Sequence, residues 1–141
     1  MLKKLLFILT VLLIGISQPL EAQRRQPAKS ADLAFERGQY TLAIERYKKA
    51  VKKTKKKKFE AERTRITYQL GECYRLTENT KQAAVAYKRV AKTEFPKSNP
   101  IFFLHYGDVL KRNGKYEEAL ECYNTYTELV PDDPRGQRAA D

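Results

Sequence analysis

His105, the single histidine, and Cys73 and Cys122, the only cysteines, are the side chains of this sequence with the widest chemistry. Imidazole and thiolate are both zinc ligands, but a zinc site needs about four of them at suitable spacing. The two cysteines fall in separate helical patterns that are not expected to be neighbours, so no metal site follows. Inside such patterns they read first as small buried hydrophobes and second as one disulfide. Catalysis has no better candidates. There is no nucleophile elbow and no glycine-rich phosphate loop, and the acidic residues share helix faces with lysines, as in "EEALE" from Glu117. Neither enzyme activity nor a cofactor is expected.

Charge is the next resource. The chain carries a formal net charge of +11 with a pI near 9.7, which favours anionic partners such as nucleic acid, acidic lipid or acidic protein. Much of it sits in one run, with lysine at 48, 49, 52, 53 and 55–58. That run is either a working anion-binding surface or a solvated connector between two pieces of structure, and the elements around it decide which.

The first 22 residues bear on compartment. Lys3 and Lys4 precede an apolar run from Leu5 to Ile16, and a small residue, Ala22, follows. A short basic region, an apolar core of about a dozen residues and a small residue at the end describe a secretory signal peptide. The run is short for a transmembrane helix, which needs about 20 residues. Cleavage is expected after Ala22, with residues 23–27 as a linker, and the chain is expected to be exported to the periplasm. An exported chain makes nuclear or chromatin work a poor fit, so no specific nucleic acid is expected as a partner.

From Ala28 onward the pattern is helical throughout, without the alternation that marks strands. Three segments align: "RGQYTLAIERYKKAV" from Arg37, "TENTKQAAVAYKRVA" from Thr77 and "RNGKYEEALECYNTY" from Arg112. Each has an alanine four residues before a tyrosine: Ala43 and Tyr47, Ala83 and Tyr87, Ala119 and Tyr123. Residues four apart share a helix face; the alanine lets a neighbour come close and the tyrosine fills the groove beside it. Repeat-equivalent tyrosines, including Tyr40 and Tyr116, are therefore read as packing residues rather than base-stacking platforms. Gly38 and Gly114 precede two of these helices, where a left-handed residue closes the previous one; Asn79 stands near that place in the second. Upstream lie two more helices, "ITYQLGECYRL" and "FFLHYGDVLKR", with Gly71 and Gly107 in register. A mid-helix glycine costs about 1 kcal/mol against alanine, so both point to close helix–helix packing.

The unit is helix, short turn, helix, and it resembles the tetratricopeptide (TPR) repeat. Leu70-Gly71, Tyr74, Ala83 and Tyr87 carry the resemblance in the second unit; Phe103, Gly107, Ala119, Tyr123 and Pro131 carry it in the third. Thr67 departs from it by holding the slot of a bulky residue, and Tyr126 by replacing a final alanine. The expected fold class is all-α, a TPR-type α-solenoid of about three repeats (28–58, 59–98 and 99–131), with 132–141 as a tail or the start of a following segment. The exported start, the "GKYEEAL" helix and the closing "LVPDDPR" also resemble the beginning of OmpA-like, peptidoglycan-binding envelope proteins, some linked to type IX secretion and gliding. That resemblance implies outer-membrane or peptidoglycan association.

The TPR resemblance further implies a groove lined by the first helix of each repeat, in which a peptide segment or another envelope protein lies. Its groove positions fall on Arg65, Tyr68, Glu72 and Arg75 in the second repeat and on Leu104, Asp108, Lys111 and Arg112 in the third. Asp32 and Phe35 are their counterparts in the first. Acidic and apolar residues at the clamp positions argue against the subclass that grips a C-terminal carboxylate. The spacing then locates the lysine run. Ala43 to Ala83 is 40 residues and Ala83 to Ala119 is 36, against about 34 for the motif. The surplus falls at Lys52, Lys53, Lys55, Lys56, Lys57 and Lys58, read as an exposed junction whose last four lysines extend or fray the preceding helix. The alternative is an electrostatic adaptor, in which this cluster makes peripheral contact with acidic lipid, polysaccharide or nucleic acid.

Overall fold

The structure, a computed structural model, describes residues 28–140. The expected signal peptide, its cleavage after Ala22 and the linker 23–27 lie outside the described residues. The described chain is helical. α1 (Lys29–Glu36) and α2 (Tyr40–Lys53) form a first hairpin, and a 3₁₀ turn (Lys57–Phe59) leads into α3 (Glu60–Leu76) and α4 (Thr80–Val90). A four-residue helix, α5 (Phe95–Ser98), precedes the third hairpin, α6 (Ile101–Arg112) and α7 (Tyr116–Leu129), and α8 (Arg135–Ala140) follows it. The hairpins stack in chain order: α3 packs on both α2 and α4, α6 on α4 and α7, and α8 against α7 and α6.

The buried stripe of each second helix is the alanine–tyrosine pattern: Ala43, Tyr47 and Ala50 on α2, Ala83, Tyr87 and Val90 on α4, and Ala119, Tyr123 and Tyr126 on α7. The tyrosine rings lie across the first helices at their smallest residues. A Cβ added at Gly71 would stand 2.8 Å from Tyr87 Cε1, and one at Gly107 would stand 2.5 Å from Tyr123 Cε1. The two glycines are therefore contact points, and their cost in helix propensity is offset by the ring they admit. Between the second and third hairpins the aromatics fuse into one cluster. Tyr68 lies 4.9 Å from Phe95, and Phe102 lies 5.7 Å from Tyr87 and 5.6 Å from Tyr106.

Three local expectations change. The left-handed residue of the second hairpin turn is Glu78, with φ 59°, alongside Gly38 and Gly114 at φ 69° and 76°. Asn79 instead caps α4, accepting a hydrogen bond from the Gln82 amide at 3.4 Å. Second, Lys55–Lys58 do not prolong α2. The helix stops at Lys53 because the buried Thr54 turns its hydroxyl back to Ala50 O and Val51 O at 3.1 and 3.0 Å. Arg63 then ties the junction down by donating to Thr54 O and Lys55 O, both at 3.0 Å. Third, Tyr116 is not packed but 64% exposed. Its counterpart Tyr40 meets Phe35 edge-on at 5.5 Å, whereas the residue in the place of Phe35 in the third hairpin is Lys111.

Two substitutions test this packing. Gly107→Ala drives a Cβ into the Tyr123 ring, and overpacking by one methyl costs about 1–3 kcal/mol against a propensity gain of about 1; thermal unfolding should show a net loss of stability. Glu78→Gly removes a side chain from a left-handed position, where L-residues pay roughly 1–2 kcal/mol, and should raise the denaturant midpoint despite losing the exposed contact to Arg112.

Candidate functional site

The same hydrogen bond recurs in each hairpin. The second-helix tyrosine hydroxyl donates to a carboxylate 15 residues earlier: Tyr47 to Asp32 Oδ1 at 2.7 Å, Tyr87 to Glu72 Oε1, and Tyr123 to Asp108 Oδ1 at 3.0 Å. A buried phenol needs such a partner, and the carboxylates project from the groove positions of the first helices. In two of the three cases the acid also meets the next hairpin. Arg65 grips Asp32 with both terminal nitrogens at 3.1 and 3.2 Å, and His105 Nδ1 lies 2.9 Å from Glu72 Oε1. Facing a carboxylate that only accepts, Nδ1 donates. Among the described residues no cation pairs with Asp108.

The eight expected groove residues divide into two sets. Arg75, Asp108, Lys111 and Arg112 line one open hollow of about 490 Å³ together with Leu76, Glu78 and Val109. Arg75 donates to Glu72 at 2.7 Å, Arg112 to Glu78 at 3.3 Å and Lys111 to Ala139 O at 3.0 Å. The other four do not join that open surface. Arg65 is held by Asp32 and Glu62. Tyr68 is buried because α5 lays Phe95 on its ring. Glu72 is 6% exposed beneath Tyr87, His105 and Arg75. Leu104 is 6% exposed in a cluster with Leu110, Tyr123 and Tyr126 that α8 closes with Ala139 and Ala140. Sequence reasoning missed Leu76, which is 39% exposed in the hollow. Leu76 stands in the repeat register of Arg112, five residues past the glycine, so extending the pair Lys111–Arg112 back to Arg75–Leu76 was enough to find it.

Glu72 is the most constrained ionisable group of the site. Burial alone would raise its pKa, but the hydrogen bonds from His105, Arg75 and Tyr87 outweigh it and hold the carboxyl at about 2, against 4.5 ordinarily. Among the described residues no group of three His, Cys, Asp or Glu is placed to hold a metal ion, and His105 is spent on Glu72. Cys73 is fully buried and Cys122 partly; both are free thiols. The lysines at 52, 53 and 55–58 are all exposed, and among the described residues none of them forms an ion pair.

A carboxyl whose pKa is depressed on folding stabilises the fold above its unfolded pKa, and that contribution is lost as pH falls through the folded value. For Glu72 the window runs from about 4.5 down to about 2. Glu72→Gln should cost about 3 kcal/mol at neutral pH, and chemical denaturation of the variant between these pH values should lack the corresponding loss of stability.

Residues 65–133 match the family of YpiA-like, C-terminal tetratricopeptide repeats. No curated protein matches the chain. Among solved structures, the chain is similar to the Yersinia enterocolitica type III secretion chaperone SycD, crystallised in complex with a peptide of the translocator YopD. The identity is 18%, the TM-score is 0.66, and the match covers 84% of this chain and 90% of that one. The aligned hairpins, their glycine–tyrosine contacts and these matches agree: the described residues form an all-α helical repeat of the TPR type.

Proposed function

We propose that the chain is a non-enzymatic protein–protein interaction scaffold that holds a segment of a partner protein in the hollow between α3 and α6. The observation that carries this reading is the lining of that hollow. Arg75, Lys111 and Arg112 supply charge-assisted donors, Asp108 an acceptor, and Leu76 an exposed apolar contact. A mixture of this kind suits a peptide with both charged and apolar side chains. The binding of a translocator peptide by the structurally similar secretion chaperone supports a peptide partner here.

The place of action we propose is the cell envelope. The basic and apolar start of the sequence supports export to the periplasm, and the resemblance to OmpA-like envelope proteins supports a partner at the outer membrane or peptidoglycan, with a type IX secretion or gliding assembly as the specific setting. Among the described residues no helix is long and apolar enough to cross a membrane. The exposed lysines from Lys52 to Lys58, none in an ion pair among the described residues, favour one second reading, an electrostatic adaptor for acidic lipid, polysaccharide or nucleic acid.

The two readings separate by salt and by mutation. In pull-downs from envelope extract, Leu76→Ser with Arg112→Ser should reduce capture at least tenfold, while changing Lys55–Lys58 to serine should leave capture at 0.5 M salt within about twofold, because screening at that ionic strength already removes surface attraction. Capture that depends on the lysines alone and disappears with salt would replace the groove with the adaptor.

A further inference from the structure

Thr67 stands four residues before Gly71, where Phe103 stands before Gly107. Phe103 packs against the clusters on both sides of α6 and meets Phe102 edge-on at 5.4 Å. Threonine cannot reach so far, and its hydroxyl is turned back to donate to Arg63 O at 2.7 Å. The space that an aromatic ring fills in the third hairpin is left open in the second. It forms a cleft with Thr67 and Leu70 of α3 at its floor, Val51 and Lys52 of α2 on one wall and Val85 and Arg89 of α4 on the other. Two hollows of about 310 and 250 Å³ meet there, sharing Val51, Thr67 and Arg89.

The rim is cationic. Lys48 and Lys52 stand one turn apart on α2 and Arg89 faces them from α4; all three are exposed, and among the described residues none is in an ion pair. Among the described residues, Glu60, in the hollow nearer Arg63, is the sole acidic residue in either lining. Val85, 49% exposed, leaves an apolar edge beside these charges.

We infer that this cleft is a second docking site, for an extended acidic segment of a partner protein with one apolar side chain. The apolar side chain sits over Thr67, and flanking carboxylates meet Lys48, Lys52 and Arg89. The volumes suit one or two side chains and exclude a helix, whose diameter with side chains is about 10–12 Å. The apolar floor separates this ligand from nucleic acid, which is held chiefly through its phosphates. The cleft lies on a different face of α3 from Arg75 and Leu76, so it stands or falls independently of the groove.

The test uses a synthetic seven-residue peptide of glutamates around a central leucine, the same peptide with a central serine, and a thymidine oligonucleotide. Titration into ¹⁵N-labelled full chain should shift the amides of Val51, Thr67 and Arg89 with the leucine peptide, with at least tenfold weaker affinity for the serine peptide. Thr67→Phe should fill the cleft and weaken binding at least tenfold while leaving the helical circular dichroism intact. Arg89→Glu, at an exposed site, should do the same without touching the floor, and Leu76→Ser with Arg112→Ser should have no effect. Equal affinity for both peptides, undiminished binding by Thr67→Phe or Arg89→Glu, tighter binding of the oligonucleotide at the same amides, or no shift at millimolar peptide would each overturn the inference.

Discussion

A tyrosine hydroxyl reaching a carboxylate 15 residues back holds each hairpin of this protein in register. The ring must cross the first helix to make that bond, and it crosses at Gly71 and Gly107; in the first hairpin the equivalent position holds the buried Ala31, in one cluster with Tyr47. A buried phenol without a partner would forfeit about 1–3 kcal/mol, so ring, small residue and acid function as one unit. The unit also reaches beyond its own hairpin. Asp32 engages Arg65 and Glu72 engages His105, each 33 residues on, so the groups that close one hairpin also seat the next.

This economy explains why the groove is narrower than its positions suggest. Side chains at the first-helix positions are shared between binding a partner and building the stack. Where the next hairpin supplies a hydrogen-bond partner, the acid is consumed, as at Glu72 with His105. Where no described residue of a following hairpin does, as at Asp108, it stays available to the hollow. The open surface therefore gathers at the ends of α3 and α6, around Arg75, Leu76, Lys111 and Arg112, and not along the whole length of the helices.

The hairpins were legible because alanine and tyrosine recur at helical spacing, and that spacing survives the unequal junctions. The surplus of residues at the lysine run was legible for the same reason, as a break in the count. What covers Tyr68 and Leu104 was not. The helices responsible, α5 and α8, are four and six residues long, too short to carry periodicity, and they act through tertiary contact alone. Glu78 was hidden differently: its left-handed backbone is imposed by the turn, where glycine stands in the other two hairpins, and nothing in glutamate's preferences announces it. The role of His105 became visible only once two hairpins were stacked, since its partner Glu72 lies in the previous one.

The buried thiols have a consequence for how the chain ages. Burial pushes Cys73 up to about 12 and Cys122 up to about 11. Only the thiolate attacks disulfides or peroxides, so both shifts disfavour the reactive form at neutral pH. Cys73, at 0% exposure, is also shielded from reagents in the folded chain. The Cys73 sulfur is reached only when the stack opens, so its labelling by a thiol reagent serves as a clock for unfolding.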